Sequence, residues 1–107
     1  MKYSVLKAKG TMIATHDIYD NGAFLYTHEG WIYKGGFYLH DIHSNAVDYT
    51  GKTCTTFLCY VDDPIFESYL WYNQGGYFTH SDLTDDGVNL LRKWRRKRYE
   101  SVICRKR

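Results

Sequence analysis

The residues of this sequence that could most readily do chemistry are the cations of its last sixteen positions. Residues 92–107 contain nine of the 14 Lys and Arg residues of the chain and one acidic residue, Glu100. With histidine counted as neutral, this segment carries a net charge of +8, whereas residues 1–91 carry −6. A charge separation of this size indicates an anionic partner, and nucleic acid is the first candidate.

The predicted binding residues all belong to this basic segment. Arginine outnumbers lysine in it, which suits bidentate contacts to phosphate and stacking on bases. Trp94 and Tyr99 bracket the central cluster and could also stack on bases, although burial is favoured for Trp94. The residues predicted to contact the phosphate backbone of a nucleic acid, or an acidic protein surface, are Arg92, Lys93, Arg95, Arg96, Lys97, Arg98, Tyr99, Arg105, Lys106 and Arg107.

Other interpretations of the basic segment stay open. Cations near a helix C-terminus complement the helix dipole without any partner, but about two or three charges suffice for that. Alternatively, the segment folds back on the acidic body of its own chain or of a neighbouring copy. An acidic surface on another protein is a further possible partner. The charge pattern favours nucleic acid over these alternatives.

Histidines provide a second group of candidates. His16, His28 and His40 lie on consecutive predicted strands, and with Cys54 they would form a metal or acid–base site if they met. The spacing of His40 and His43 does not favour a shared site, because on a strand these rings point to opposite faces. We therefore interpret the histidines as ordinary surface or half-buried residues and predict neither a metal nor another cofactor. No glycine-rich phosphate-binding loop is present in the sequence.

Length and composition restrict the class of protein. A chain of 107 residues with 44% apolar residues and one proline predicts one globular domain, residues 1–107. Cys54, Cys59 and Cys104 form an odd set without C-x-x-C spacing, which argues for reduced thiols that fill space. The sequence has no apolar run long enough for a transmembrane helix, and its first residues lack the apolar region of a signal peptide. We therefore expect no membrane contact and a cytoplasmic location.

Residues 2–61 have the pattern of strands that are joined by tight turns. Tyr3–Ala8 is the first predicted strand. Asn21-Gly22 predicts a type I′ hairpin, because both central residues of that turn need a positive φ. Lys34-Gly35-Gly36 predicts a three-residue hairpin loop, and Gly51-Lys52 predicts a third hairpin. Thr53–Val61 is apolar on both faces and is therefore predicted to be a central, covered strand.

The remainder of the chain has helical periodicity. Residues 63–74 are predicted as a helix that Asp63 caps and that has Pro64 at its first position. After a short bridge at residues 77–80, a basic helix is predicted over residues 84–99, with Thr84 as its cap. The apolar residues of this helix form a stripe that ends near Trp94, so we expect the helix to be buried up to that residue and to leave the body at residues 95–99. Residues 100–107 are predicted as a basic tail.

A local resemblance spans residues 77–91. The pattern formed by Tyr77, Leu83-Thr84, Gly87 and Leu90-Leu91 resembles the strand-to-helix junction that follows the wing in winged-helix DNA-binding proteins. Those proteins place their helices before the wing, whereas residues 2–61 of this chain are predicted to be strands. The resemblance therefore transfers neither the fold nor any base-reading residue.

The combined prediction is an α+β domain, in which an antiparallel β-meander of five to six strands is followed by two C-terminal helices. The expected function is non-catalytic binding of nucleic acid or a nucleoprotein complex through the basic helix. The alternative is an inhibitor, of the kind that phages and mobile elements encode, which binds and blocks a protein target. A small His-dependent nuclease is the third possibility.

Overall fold

The computed structural model of the chain describes residues 1–43 and 53–105, the last five of them as helix backbone. Four strands form one sheet, and three α-helices surround it. The strands are β1 (Thr11–Asp20), β2 (Ala23–Tyr33), β3 (Gly36–His43) and β4 (Thr53–Tyr60), and the helices are α1 (Tyr3–Lys9), α2 (Phe66–Leu70) and α3 (Asp85–Arg105). Two 3₁₀ turns, Tyr72–Gln74 and His80–Asp82, lie between α2 and α3.

The sheet is an antiparallel meander in which the strands are paired in the order β1-β2-β3-β4. The predicted α+β class and antiparallel meander are confirmed, whereas the predicted number of five to six strands is wrong, because the described residues form four. The third predicted hairpin turn, at Gly51-Lys52, lies outside the described residues. Thr53–Val61 was predicted to be central and covered, but β4 is the last strand in the sheet order and exposes Phe57 and Tyr60.

Both described hairpins turn through two residues with positive φ. The φ angles are 50° at Asn21 and 82° at Gly22, which confirms the first predicted turn. In the second turn they are 51° at Lys34 and 77° at Gly35. Gly36 already belongs to β3, so this loop has two residues rather than the predicted three. Two-residue turns of this kind match the right-handed twist of the strands that they join.

The first helix corrects the prediction of a strand at Tyr3–Ala8. In α1, Tyr3 and Leu6 are one turn apart on a single face, and Leu6 is completely buried. The Tyr3 ring stacks on the ring of His40 with a centroid separation of 3.9 Å and meets Trp31 edge to face at 6.1 Å. The helical period therefore places both side chains on the sheet, while strand alternation would separate them.

The main hydrophobic core lies on the other face of the sheet, between the sheet and the C-terminal half of the chain. Its most deeply buried members are Phe37 from β3, Phe66 and Leu70 from α2, and Phe78 from the segment that follows. The rings of Phe37 and Phe66 meet edge to face at 5.3 Å. The helix predicted over residues 63–74 is shorter than expected, because the chain becomes extended at Trp71.

The predicted capping of that helix is also wrong. The carboxylate of Asp63 accepts a hydrogen bond from the backbone N–H of Tyr60 at 3.0 Å, and α2 begins only at Phe66. Asp63 therefore closes the turn at the end of β4 and does not cap a helix. The predicted bridge at residues 77–80 contributes Phe78, which forms an isolated parallel bridge with Trp71.

The first hairpin provides a test of backbone strain. We expect Gly22→Val to lower the free energy of unfolding by more than about 1 kcal/mol, because a β-branched residue is strained at positive φ. No atom lies within 4 Å of the position that a Cβ would take, so strain rather than steric clash would cause the loss. Gly22→Asn is the control, since asparagine tolerates this conformation. Urea unfolding measures both variants, and equal stabilities would contradict this account.

Candidate functional site

The basic helix is fixed to the sheet at its first turn. The hydroxyl of Thr84 accepts a hydrogen bond from the N–H of Gly87 at 3.1 Å and donates one to the carbonyl oxygen of Met12 at 2.7 Å. The N–H of Thr84 also donates to the carbonyl oxygen of Ile13 at 2.9 Å. A Cβ at position 87 would lie 2.0 Å from the Ile13 oxygen, so the close approach of α3 to β1 requires a glycine. Thr84 thus caps α3, as predicted.

The buried side of α3 ends at Trp94. Leu91 and Trp94 are 4% and 8% exposed, and Trp94 meets Phe66 edge to face at 5.7 Å. These residues lie one turn apart on the same side of the helix, so they seat it on the core formed with α2. The predicted burial of the helix up to Trp94 agrees with this packing.

Beyond Trp94 the helix has left the body of the protein. All six residues from Arg95 to Glu100 are exposed. Successive residues are about 100° apart around a helix axis, so six consecutive exposed residues leave every side of the helix open. The helix backbone continues to Arg105, where a helix ending at residue 99 and a tail over 100–107 were predicted. The projecting segment, residues 95–105, is therefore about 16 Å long.

The structure brings seven of the predicted binding residues together along this helix. Arg92 and Lys93 are exposed where α3 still packs on the body, and Arg95, Arg96, Lys97, Arg98 and the predicted Tyr99 follow on the projecting segment. The guanidinium of Arg98 lies over the Trp94 ring, 5.0 Å from its centroid. Arg105 lies in the helix backbone, while Lys106 and Arg107 lie outside the described residues.

Neutralisation of these cations by the acidic body is confined to one contact. Arg95 Nε lies 3.3 Å from Glu67 Oε1, and this is the one ion pair that the cations of residues 92–98 form within the described part of the chain. Arg95 is still 53% exposed, and an exposed pair of this kind contributes about 0–1 kcal/mol. The cationic surface of α3 therefore remains available to an external anion.

The histidines do not form the site that the sequence suggested. His16 and His28 are paired residues of β1 and β2, and each ring is held by a carboxylate that the sequence pattern does not indicate. His16 Nδ1 lies 3.1 Å from Asp82 Oδ1, and His28 Nδ1 is hydrogen-bonded to Asp41. Asp41 is the cross-strand partner of His28 in β3, so the strand register is the signal that would have identified it.

His40 lies on the opposite face of the sheet, beneath α1. It is 1% exposed, its Nδ1 is hydrogen-bonded to Thr55, and its Nε2 has no hydrogen-bond partner. Tyr3 donates a hydrogen bond to Glu29 beside it, and burial together with this carboxylate raises the pKa of Tyr3 to about 12. Burial also lowers the pKa of His40.

The three histidines and Cys54, whose meeting the sequence left as an alternative, do not come together. Cys54 is exposed, and Cys59 is buried with a thiol pKa that burial raises. Within residues 1–43 and 53–105, no group of three or more His, Cys, Asp or Glu side chains is placed to hold a metal ion.

A second exposed surface lies on the sheet. Phe57 and Tyr60 of β4 are 45% and 57% exposed. The Phe57 ring contacts those of Tyr38 and Tyr60 edge to face, with centroid separations of 5.3 and 5.0 Å. We call these three residues the aromatic patch. Exposed aromatic side chains are frequent anchors of protein interfaces and also stack on bases.

His40 generates a prediction on pH. Because its folded-state pKa is lowered, the unfolded chain binds more protons once the pH falls below the ordinary histidine value of about 6.5. The contribution of neutral His40 to stability is therefore complete above this pH and is lost as the pH falls toward the lowered pKa. Urea unfolding should show a smaller loss of stability between pH 7.5 and pH 5 in His40→Gln than in the wild type. The same loss in both proteins would contradict burial of a neutral His40, and exposed His80→Gln is the control.

Trp94 generates a prediction that separates stability from binding. We expect Trp94→Ala to lower the free energy of unfolding by about 3–5 kcal/mol, because it removes a large buried ring from the core. Leu91→Ala, a change one turn earlier on the same buried side, is the control for destabilisation alone. Thermal melting should show both variants weakened in stability. Binding to nucleic acid well below the melting temperature should be unchanged in Leu91→Ala and should fall in Trp94→Ala by no more than in Arg98→Ala, because Trp94 acts on binding through Arg98. A larger loss from folded Trp94→Ala would show that Trp94 contacts the partner directly.

No helix of the described residues is long and apolar enough to cross a membrane. None of three comparisons, with protein-family models, with curated proteins and with solved structures, finds a match to this chain.

Proposed function

We propose that this protein is a non-catalytic nucleic-acid-binding protein that uses α3 to contact the phosphate backbone, alone or within a nucleoprotein complex. The observation that carries the proposal is the exposure of residues 95–100 on every side of the helix, with four consecutive cations among these six residues. The cations of residues 95–98 lie beyond the part of α3 that packs on the core, so packing of the domain does not account for their number.

The charges are poorly suited to any partner within the chain. Glu67 offsets part of the positive charge of Arg95. The remaining cations of residues 92–98 have no carboxylate within ion-pairing distance among the described residues. Phosphate groups would supply a continuous line of anions, and each contact would release a condensed counterion. The strength of such binding follows from the number of contacts and not from a pocket, which agrees with the exposed, convex form of this surface.

The composition of the cluster supports phosphate over an isolated carboxylate. Four of the six cations of residues 92–98 are arginines, whose planar guanidinium groups bind two phosphate oxygens at once. Arg98 is oriented by its position over Trp94, which reduces the side-chain entropy that it would lose on binding. Tyr99, 67% exposed, follows directly and offers a ring for stacking.

An alternative function is inhibition of a protein target, and the aromatic patch is the observation that favours it. Exposed Phe57 and Tyr60, with Tyr38 beside them, have the composition of an interface anchor. In that case the patch would be buried against the target and the basic helix would contact an acidic surface beside it.

The salt dependence of binding tests the proposed function. If the six cations of residues 92–98 contact phosphates, the logarithm of the association constant for duplex DNA should fall against the logarithm of salt concentration with a slope of about −5. Fluorescence anisotropy of a labelled duplex between 50 and about 300 mM salt measures this slope. A slope near zero, or no binding at the lowest salt concentration, would exclude phosphate binding by α3.

Individual substitutions separate this function from inhibition of a protein. Phosphate contacts are roughly interchangeable, so Arg95→Ala, Arg96→Ala and Arg98→Ala should each weaken binding modestly, and the triple variant should abolish it. Alanine at Phe57 or Tyr60 should leave phosphate binding unchanged. Loss of all function from one arginine, or from the aromatic patch alone, in a folded protein would instead support a protein interface with a few dominant anchors.

A further inference from the structure

We infer that the nucleic acid is double-stranded DNA and that residues 95–105 lie in its major groove, with the body of the protein held beyond one end of the helix. This inference rests on the proposed function, and it adds the type of nucleic acid and the geometry of docking. It is based on the distribution of cations around the helix rather than on their number.

The cations of the projecting segment form a ring around the helix axis. Arg95, Arg96, Lys97 and Arg98 are consecutive, and each is about 100° further around the helix than the one before it. Arg95 and Arg98 therefore lie on one side, while Arg96 and Lys97 lie on the opposite side. All four are exposed. Arg95 contacts Glu67 and Arg98 lies over Trp94, so the body borders one side of the helix without covering it.

A flat or linear array of phosphates cannot use this ring. A helix that lies on such a surface presents at most half of its circumference, so two of the four cations would face solvent. A groove with phosphates along both edges would contact both sides at once. The ring of charge therefore favours a partner that surrounds the helix over a single strand that follows one side of it.

The dimensions of the helix select the groove. An α-helix with its side chains is about 10–12 Å in diameter, and the major groove of B-form DNA is about 12 Å wide. The major groove of A-form RNA is deep and too narrow for side chains to read, so an RNA duplex does not provide the same site. The projecting length of about 16 Å would extend along roughly five base pairs, at about 3.4 Å for each pair.

The charge of the body fixes the direction of approach. Residues 1–91 carry a net charge of −6, and Asp62 lines the same cleft as Lys97 where α3 leaves the core. Phosphates would repel a body of this charge, so the protein would not lie along the duplex. It would hold its sheet away from the DNA and insert the free end of α3. Arg92 and Lys93, at the base of the projecting segment, would reach the phosphates that border the groove.

Two double variants of the full chain test this geometry. Arg95→Gln with Arg98→Gln removes the cations of one side, and Arg96→Gln with Lys97→Gln removes those of the other side. Fluorescence anisotropy would compare a labelled 20-base-pair DNA duplex, its single strand and an RNA duplex of the same sequence at one salt concentration. We expect the DNA duplex to bind at least about tenfold more tightly than the other two. Each double variant should weaken duplex binding about tenfold or more and reduce the salt slope by about 1.8.

Lys2→Gln with Lys9→Gln is the matched control, because it also removes two exposed positive charges but near α1. This variant should bind the duplex within about twofold of the wild type, and thermal melting would verify that all three variants are folded. If only one of the two double variants of α3 loses affinity for the duplex, or if single strands or RNA bind more tightly, docking in the major groove is overturned. Phosphate binding by α3 would still be supported. If no nucleic acid binds at low salt, the proposed function itself fails.

Discussion

The contact between the first turn of α3 and β1 determines where every other part of the basic helix lies. Thr84 is hydrogen-bonded to the backbone at Met12 and Ile13, and Gly87 allows the helix to approach the Ile13 carbonyl more closely than any other residue would permit. This attachment fixes both the direction of the α3 axis and the rotation of the helix about that axis. Leu91 and Trp94 then fall on the core, and the next residue on the same side is Arg98, which lies beyond it. The residue at which α3 leaves the core is therefore set by contacts about ten residues earlier.

The same attachment explains why residues 95–100 can remain helical although they are exposed. Like charges four residues apart destabilise an exposed helix by about 0.2–0.5 kcal/mol for each pair, and Arg92–Arg96 and Lys93–Lys97 are two such pairs. Helix formation is costly mainly at nucleation, and the packed residues 85–94 already supply a nucleus. Each further residue then adds one backbone hydrogen bond, and cations near the C-terminus interact favourably with the helix dipole. The free end therefore remains helical although its cations repel one another.

Features with a strong local cause could be predicted from the sequence, and features that depend on distant contacts could not. Asn21-Gly22 and the Thr84 cap are decided by their own residues, and both are found where they were predicted. The helix at Tyr3–Lys9 was missed because its formation depends on a stack against His40, which lies far away in sequence. The partners of His16 and His28 were missed for the same reason, since Asp82 and Asp41 reach them only through strand register and chain reversal. The basic cluster could be recognised from composition. Its exposure could not, because it depends on the packing of Trp94 against Phe66, which determines where α3 leaves the core.

Self-repulsion within α3 also links its order to its partner. An anion that lies between neighbouring cations removes the repulsive energy and adds an attractive one, so it stabilises the helical state of the free end relative to the frayed state. Among the described residues, the acidic body provides this only at Arg95, through one exposed ion pair with Glu67. Phosphates along a groove would provide it on both sides of the helix. The arrangement of residues 95–98 is thus most stable in the environment that the charge pattern itself would attract.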